Sequence, residues 1–161
     1  MDMIAARFVR SLTRFRRIQP QIGRLHATVL RRSGGRIRRS VMFAGGQPVL
    51  ALTTTGRHSG KKRSTTVAYL RHGDAYASAA LNLGSDRDPA WALNVRADPR
   101  AWIEVRGEQL EVRARPARGE EADGLWEEFI RRVPMIGDSR RLANRDTPIF
   151  VWEPAEPSAK R

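Results

Sequence analysis

The stretch Thr53-Thr54-Thr55-Gly56-Arg57-His58-Ser59-Gly60-Lys61-Lys62-Arg63 gathers two glycines, four permanent cations and several hydroxyls into eleven residues. Glycine lets backbone N–H groups turn toward an anion, and arginine grips phosphate through paired hydrogen bonds. Such a segment suits the holding of a phosphate-bearing molecule. It is not a Walker loop. Gly56 and Gly60-Lys61 stand one residue too close, and Lys62 occupies the place of the Ser or Thr that coordinates magnesium. A solvated hairpin turn with surface charge accounts for the same residues, so this segment alone leaves both readings open.

Asp88-Pro89-Ala90-Trp91-Ala92-Leu93-Asn94 is the second candidate. An Asp-Pro pair opening an apolar run predicts a capped helix, with Asp88 as N-cap and Pro89 first in the helix. Its N-terminal N–H groups and Trp91 could sit beside a ring or phosphate. Alternatively, Trp91 simply packs the helix onto the body.

Other chemistries find no support. His26, His58 and His72 lack metal-ligand spacing, and no metal site is expected. Ser59 stands one place off a nucleophile elbow. The acids between 119 and 128 read as a solvated helix face. No G-x-G-x-x-G follows a strand. The absence of cysteine excludes disulfides, thiolate metal sites and a thiolate nucleophile.

The elements that must position these segments are mainly strands. Pro48–Thr54, Ser64–Leu70, Ala75–Ala80, Ala101–Val105, Gln109–Arg115 and Ile149–Glu153 read as six strands, with turns at His72-Gly73-Asp74 and Arg106-Gly107-Glu108. Between Gly119 and Val133 the residues Ala122, Leu125, Trp126, Phe129, Ile130 and Val133 recur at helical spacing, with acids early and arginines late. Pro89–Arg96 forms a shorter helix. Hairpin-connected strands with two inserted helices suit an antiparallel sheet closed into a small barrel rather than a parallel sheet.

Charge divides the chain. Residues 1–40 carry 11 arginines and one acid, a net +10, while the other 121 residues carry only +3 of the total +13. Ile4, Phe8, Leu12 and Phe15 form an apolar stripe among Arg7, Arg10, Arg14, Arg16 and Arg17, which reads as a basic amphipathic helix. Residues 1–40 are thus expected to be a helical arm, 41–154 the barrel and 155–161 a disordered tail. The arm suits an anionic partner, a lipid surface or nucleic acid. Base-stacking aromatics are not clustered in it, so nucleic acid is the weaker fit. No secretory signal or membrane span is evident, and the protein is expected in the cytoplasm, docked peripherally if the arm meets lipid.

The run from Pro48 through Gly56-Arg57-His58-Ser59-Gly60 to Arg63-Ser64-Thr65 resembles the deazaflavin-dependent nitroreductase family. Asp88-Pro89-Ala90-Trp91-Ala92-Leu93-Asn94, Ala97-Asp98-Pro99 and Asp146-Thr147-Pro148-Ile149-Phe150-Val151 are similar too. The resemblance covers about residues 35–154. It implies a mainly β (α+β), flavin-reductase-like split antiparallel β-barrel of about six strands with two or three helices. It also implies coenzyme F420, an 8-hydroxy-5-deazaflavin, and an oxidoreductase passing hydride to a quinone, enone or nitro acceptor.

By that likeness, Arg57, His58, Ser59, Arg63, Ser64 and Thr65 line the phosphate and tail site. Ala79, Ala80, Leu81 and Asn82 flank the ring together with Ala90, Trp91, Ala92, Leu93 and Asn94, and Met135 and Ile136 line the acceptor side. No residue is assigned a catalytic role, since the hydride comes from the cofactor. His58 stands where lysine or arginine is usual. Val133, Ile136 and Ser139 stand where well-studied nitroreductases present tyrosines. An FMN-binding split-barrel reductase or oxidase is the alternative of the same fold, and a non-enzymatic nucleic-acid module the alternative of another class. Oligomeric state is not legible.

Overall fold

The computed structural model describes residues 47–155 and, before them, 27–29, 32 and 39–40. The predicted helix over residues 3–18 and the tail beyond 155 lie outside the described residues. Among the described residues, after the helical positions 27–29 and 32, eight strands and three helices follow in the order β1 (Arg39–Ser40), β2 (Gln47–Thr55), β3 (Lys62–Ala68), β4 (Leu70–His72), β5 (Ala75–Ala79), α1 (Ala90–Ala97), β6 (Arg100–Val105), β7 (Glu108–Pro116), α2 (Gly119–Arg132), α3 (Met135–Leu142) and β8 (Ile149–Pro154). A 3-10 turn, Asn82–Gly84, follows β5.

All pairings are antiparallel. The sheet runs β2-β6-β7-β8-β5-β4, and β3 pairs with the other edge of β2. β3 and β4 are one extended run interrupted at Tyr69, whose N–H donates to the Pro48 carbonyl at 3.1 Å. Residues before Tyr69 pair with β2 and residues after it pair with β5. That switch closes the sheet into a barrel, the way antiparallel proteins remove exposed edges. The six predicted strands correspond to this barrel, with Ser64–Leu70 spanning the switch.

Period-two alternation sorts side chains between inside and outside. Leu50, Leu52, Tyr69, Tyr76, Ile103, Val112, Phe150 and Trp152 fill the interior. Trp152 has no exposed surface, and its indole N–H donates to Ser78 Oγ at 3.0 Å, so the burial of both polar atoms is compensated. On the outer face Leu70, Ala77, Ile149 and Val151 meet Leu125, Trp126 and Phe129 of α2. β5 and β8 are thus covered on both faces, which is why Ile149-Phe150-Val151-Trp152 is an unbroken apolar run. Ala27 packs on Val49 and Ala51, outside β2.

Turn chemistry follows the sequence closely. Arg106 and Gly107 both take positive φ, 55° and 91°, the two-residue reversal that a twisted hairpin needs. Two details differ. Pro89, not Asp88, holds the N-cap position of α1, and no side chain caps that helix; Asp88 is drawn into ion pairs with Arg96 and Arg145 instead. α3 was not foreseen, because Met135–Leu142 is short and rich in charge.

The first turn of α2 is likewise more than a solvated face. Arg115 donates two hydrogen bonds to Glu121, at 2.6 and 2.8 Å, and one to Glu153 at 2.7 Å, while His72 Nε2 lies 3.0 Å from Glu121. The bonds from Arg115 are the main cause that pushes the Glu121 carboxyl down from 4.5 to about 2. A carboxyl depressed on folding stabilises the protein fully above the ordinary value and loses that contribution as pH falls toward the depressed one. Glu121→Gln should therefore cost about 1–2 kcal/mol at neutral pH, the upper range being trimmed for partial exposure. In denaturation experiments across pH, the gap from wild type should narrow below about pH 4.5 and close near pH 2. A gap constant over that range would show the network contributes by packing alone.

Candidate functional site

Loop 56–61 joins β2 to β3 at one end of the barrel. Gly56 N donates to the Lys61 carbonyl at 2.9 Å, and Gly60 N and Ser59 N donate to the Gly56 carbonyl at 2.8 and 3.1 Å. Gly60 has φ 63°, which favours glycine. A Cβ on Gly56 would lie 2.9 Å from Ser59 Oγ and 3.2 Å from the Lys61 carbonyl, so the loop closes this tightly only over glycine.

The loop leaves Arg57, His58, Ser59, Lys61, Lys62 and Arg63 exposed. Among the described residues none of Arg57, Lys61, Lys62 and Arg63 enters an ion pair, whereas Asp88, Glu111, Glu121, Glu128, Asp138 and Glu153 are all taken by arginines elsewhere. The loop therefore presents dense positive charge that no carboxylate among the described residues neutralises.

The pleat then divides the strand that follows. Val67 packs toward the interior, so Arg63 and Thr65 share its face, while Lys62 and Ser64 point to the other. Ser64 Oγ lies 2.8 Å from Thr53 Oγ1, and Lys62 Nζ lies over the Trp102 ring. Ser64 is thus separated from Arg63 and Thr65, with which it was expected to act.

One buried side chain ties this loop to α1. Asn94, 5% exposed, donates through Nδ2 to Thr54 Oγ1 at 3.0 Å and accepts the Arg57 backbone N–H on Oδ1 at 3.2 Å. It fastens the helix to the strand end and to the loop at once.

A second tie fixes the segment after β5. Arg145, whose side chain is 14% exposed, donates to the carbonyls of Ala80 (2.7 Å), Ser85 (3.0 Å), Asp146 (3.1 Å) and, at 3.5 Å, Leu81. It also pairs with Asp88, which in turn pairs with Arg96 on α1. Asn82 takes φ 48° and donates through Nδ2 to the Arg87 carbonyl at 2.9 Å. β5, the 81–88 loop and α1 are thereby fixed relative to one another, beside loop 56–61.

A model of the family described as F420H(2)-dependent quinone reductase matches residues 22–154. The chain belongs to that family. Its members are oxidoreductases, and the deazaflavin-dependent likeness in the motifs agrees with it. An F420H(2)-dependent quinone reductase of Mycobacterium tuberculosis is 35% identical over 114 residues, covering 70% of this chain and 75% of that protein. The solved structure of an F420-H2 dependent reductase, FDR-A, matches with a TM-score of 0.60 at 30% identity, over 66% of this chain and 94% of the other. A second solved structure, a domain-swapped dimer, matches with a TM-score of 0.61 at 30% identity, over 66% of this chain and 80% of that one. The split barrel is the fold shared with these two solved structures.

Within this family member the expected ring-flanking residues fall into two groups. Ala79, Leu81, Asn82, Ala90 and Leu93 present surface. Ala80 and Ala92 have none, and Trp91 is 8% exposed, its ring centroid 5.7 Å from Phe150 and 5.6 Å from Trp152. Trp91 therefore fastens α1 into the barrel core, as the plainer reading had it, and Asn94 is spent on its two hydrogen bonds. Ile136 is half-buried against the cluster under α2, where Ala79 and Leu81 also pack, so the expected acceptor segment does adjoin one ring-flanking segment.

Sequence reasoning missed Arg145; its only signal was its place immediately before the Asp146-Thr147-Pro148 landmark. Among the described residues no group of His, Cys, Asp and Glu could hold a metal ion. Nor is any helix there long and apolar enough to cross a membrane. A surface depression of about 430 Å³ between α2 and α3, lined by Ile130, Gly137, Arg140, Arg141, Asn144 and Arg145, contains none of the expected site residues.

The Asn94 tie has a measurable weight. Asn94→Ala strands the buried Thr54 hydroxyl and frees the Arg57 N–H, which should cost about 1–3 kcal/mol in urea denaturation. Hydrogen exchange at the Arg57 amide should quicken in the same variant. An unchanged midpoint and unchanged exchange would show that solvent replaces both bonds without loss.

Proposed function

We propose that this protein is an F420H2-dependent reductase of quinones, with the coenzyme's phosphate and tail at loop 56–61 and Arg63, and its ring between residues 79–82 and 90–94. The observation that carries the reading is the exposed cluster of Arg57, Lys61 and Arg63, free of ion pairs among the described residues, with Asn94 of α1 bonded to the Arg57 backbone. The residues fit such a group on three counts. A glycine-closed loop exposes cations at one end, apolar surface from Ala79, Leu81, Ala90 and Leu93 lies at the other, and a single buried amide sets the relation between helix and loop. His58, Ser59 and Thr65 would add polar contacts to the anionic end.

When bound, the reduced deazaflavin supplies a hydride from its ring carbon. The chain's own residues bind and orient. Arg57 and Arg63 anchor the anionic end, the β5 and α1 segments hold the ring, and the apolar surroundings of Ile136 exclude water from the acceptor's side. No side chain is needed as general acid or base for a quinone, which takes hydride as an electron-poor ring, so proximity and orientation supply the rate. The arm over residues 1–40 is proposed to hold the protein at an anionic lipid surface, near lipid-soluble quinone; the concentration of charge in those residues supports that reading.

Titration of purified protein with coenzyme F420 tests the assignment. Arg57→Ala and Arg63→Ala should each weaken binding by about ten- to a hundredfold, the worth of one charge-assisted hydrogen bond, with little change in the melting temperature of the cofactor-free protein. Unchanged dissociation constants in both variants would sink the loop assignment. A yellow, oxygen-reactive protein carrying FMN would replace the cofactor altogether.

Acceptor preference is a separate expectation. Val133, Ile136 and Ser139 offer no phenolic hydroxyls to a developing oxyanion, and a missing donor costs about a hundredfold or more in rate. Quinones and enones should therefore be reduced faster than bicyclic nitro compounds in steady-state assays. Nitro substrates ranking first would show that other donors complete the pocket.

A further inference from the structure

We infer that Arg145 is a positioning residue for hydride transfer, setting the gap between the end of β5 and the start of α1 that receives the cofactor ring. The inference rests on the proposed cofactor placement, but its structural core stands on the geometry alone. Residues 79–82 and 90–94 sit on separate elements joined by an irregular loop, and a loop by itself cannot hold a gap to the tolerance that hydride transfer demands. Besides the loop's own bonds, one guanidinium reaches both of its ends.

All five N–H groups of Arg145 are used. Nε donates to the Ser85 carbonyl, one terminal nitrogen to Asp88 and the Asp146 carbonyl, and the other to the carbonyls of Ala80 and, at longer range, Leu81. The planar fork thus spans both ends of the loop, and Asp88 passes the constraint on to α1 through Arg96. A lysine offers three donors from a single point and cannot reach this set together. The chain is shaped to deliver the side chain. Asn144, just beyond α3, takes φ 45° and reverses the backbone, a conformation asparagine tolerates better than most residues. Gly84 lets the same loop approach α3 closely, since a Cβ there would lie 2.9 Å from the Ser139 carbonyl. Arg145 touches neither the expected ring-lining side chains nor loop 56–61 in any of these bonds, which is why it positions and does not bind.

The test uses the full chain with Arg145→Met, the milder Arg145→Lys and Asp88→Asn, and Arg115→Met as a control that breaks an ion network outside the site. In the cofactor-free protein, hydrogen exchange at 81–88 should rise at least tenfold in Arg145→Met and remain unchanged at 56–61. In single turnovers with saturating coenzyme F420 and a soluble quinone, the transfer rate should fall by about ten- to a hundredfold, the cost of a misplacement near 1 Å. Coenzyme affinity should change less than about fivefold, because the anionic anchor is untouched. Arg145→Lys should recover little of the rate. Asp88→Asn should slow the same step, and combining it with Arg145→Met should add less than the sum. Arg115→Met should lower the melting temperature without slowing transfer.

If Arg145→Met leaves exchange at 81–88 unaltered, or slows transfer no more than Arg115→Met does, the inference is overturned. Should Arg145→Met fail to fold, Arg145→Lys and Asp88→Asn carry the same comparisons. If the wild-type protein does not bind the coenzyme while Arg145→Met still shows the predicted exchange changes, the cofactor reading and the transfer role are overturned and the structural tie stays in place.

Discussion

The switch of pairing at Tyr69 is the constraint on which the molecule depends. An antiparallel sheet of this size must hide its edges, and it does so by letting one strand pair with β2 before Tyr69 and with β5 after it. Tyr69 is buried at the switch, its ring edge-on to Tyr76 with centroids 5.3 Å apart. Because β2 and β5 are both gripped by this one run, the loop leaving β2 and the loop leaving β5 are held at fixed separation. Those are the loops that carry the candidate site.

Two small polar ties refine what the barrel sets coarsely. Asn94 fastens α1 to loop 56–61, and Arg145 fastens the 81–88 loop through Asp88 to the same helix. Both act at low exposure, where an unsatisfied partner is costly and the geometry is therefore well determined. α1 is itself anchored from beneath by Trp91 against Phe150 and Trp152. The helix serves as a rigid strut between an anion-holding loop and an apolar surface, an arrangement suited to a long molecule with a charged end and a flat end.

Electrostatics follows the same economy. Six of the described acids are committed to structural arginines, among them Asp88 to Arg96 and Arg145, Glu121 and Glu153 to Arg115, and Glu128 to Arg132. The cations of loop 56–61 enter no ion pair with any of the described residues. Retaining them costs some self-repulsion, which short range and exposure to water keep small. An anion docking there meets full charge without displacing an internal partner.

The barrel and its motifs were legible in the sequence because they are local. Six strand segments, the Arg106-Gly107 reversal, the long amphipathic α2 and the glycine-bounded cationic loop follow from alternation, turn residues and periodicity within short windows. The deazaflavin-type likeness followed from four ordered landmarks, and the family match over residues 22–154 agrees with it. What the sequence could not decide is which of those residues face the site, since that depends on partners far along the chain. The pleat puts Ser64 with Thr53 instead of Arg63, the core claims Trp91, Ala80 and Ala92, and Asn94 is consumed by Thr54 and Arg57, 40 and 37 residues away. Arg145 reaches back 65 residues to the Ala80 carbonyl, and its role exists only once the barrel has brought β5, α1 and the end of α3 together. Composition and spacing determine the elements and the chemistry they can carry; burial and long-range hydrogen bonding, which only the closed barrel creates, decide which side chains are free to perform it.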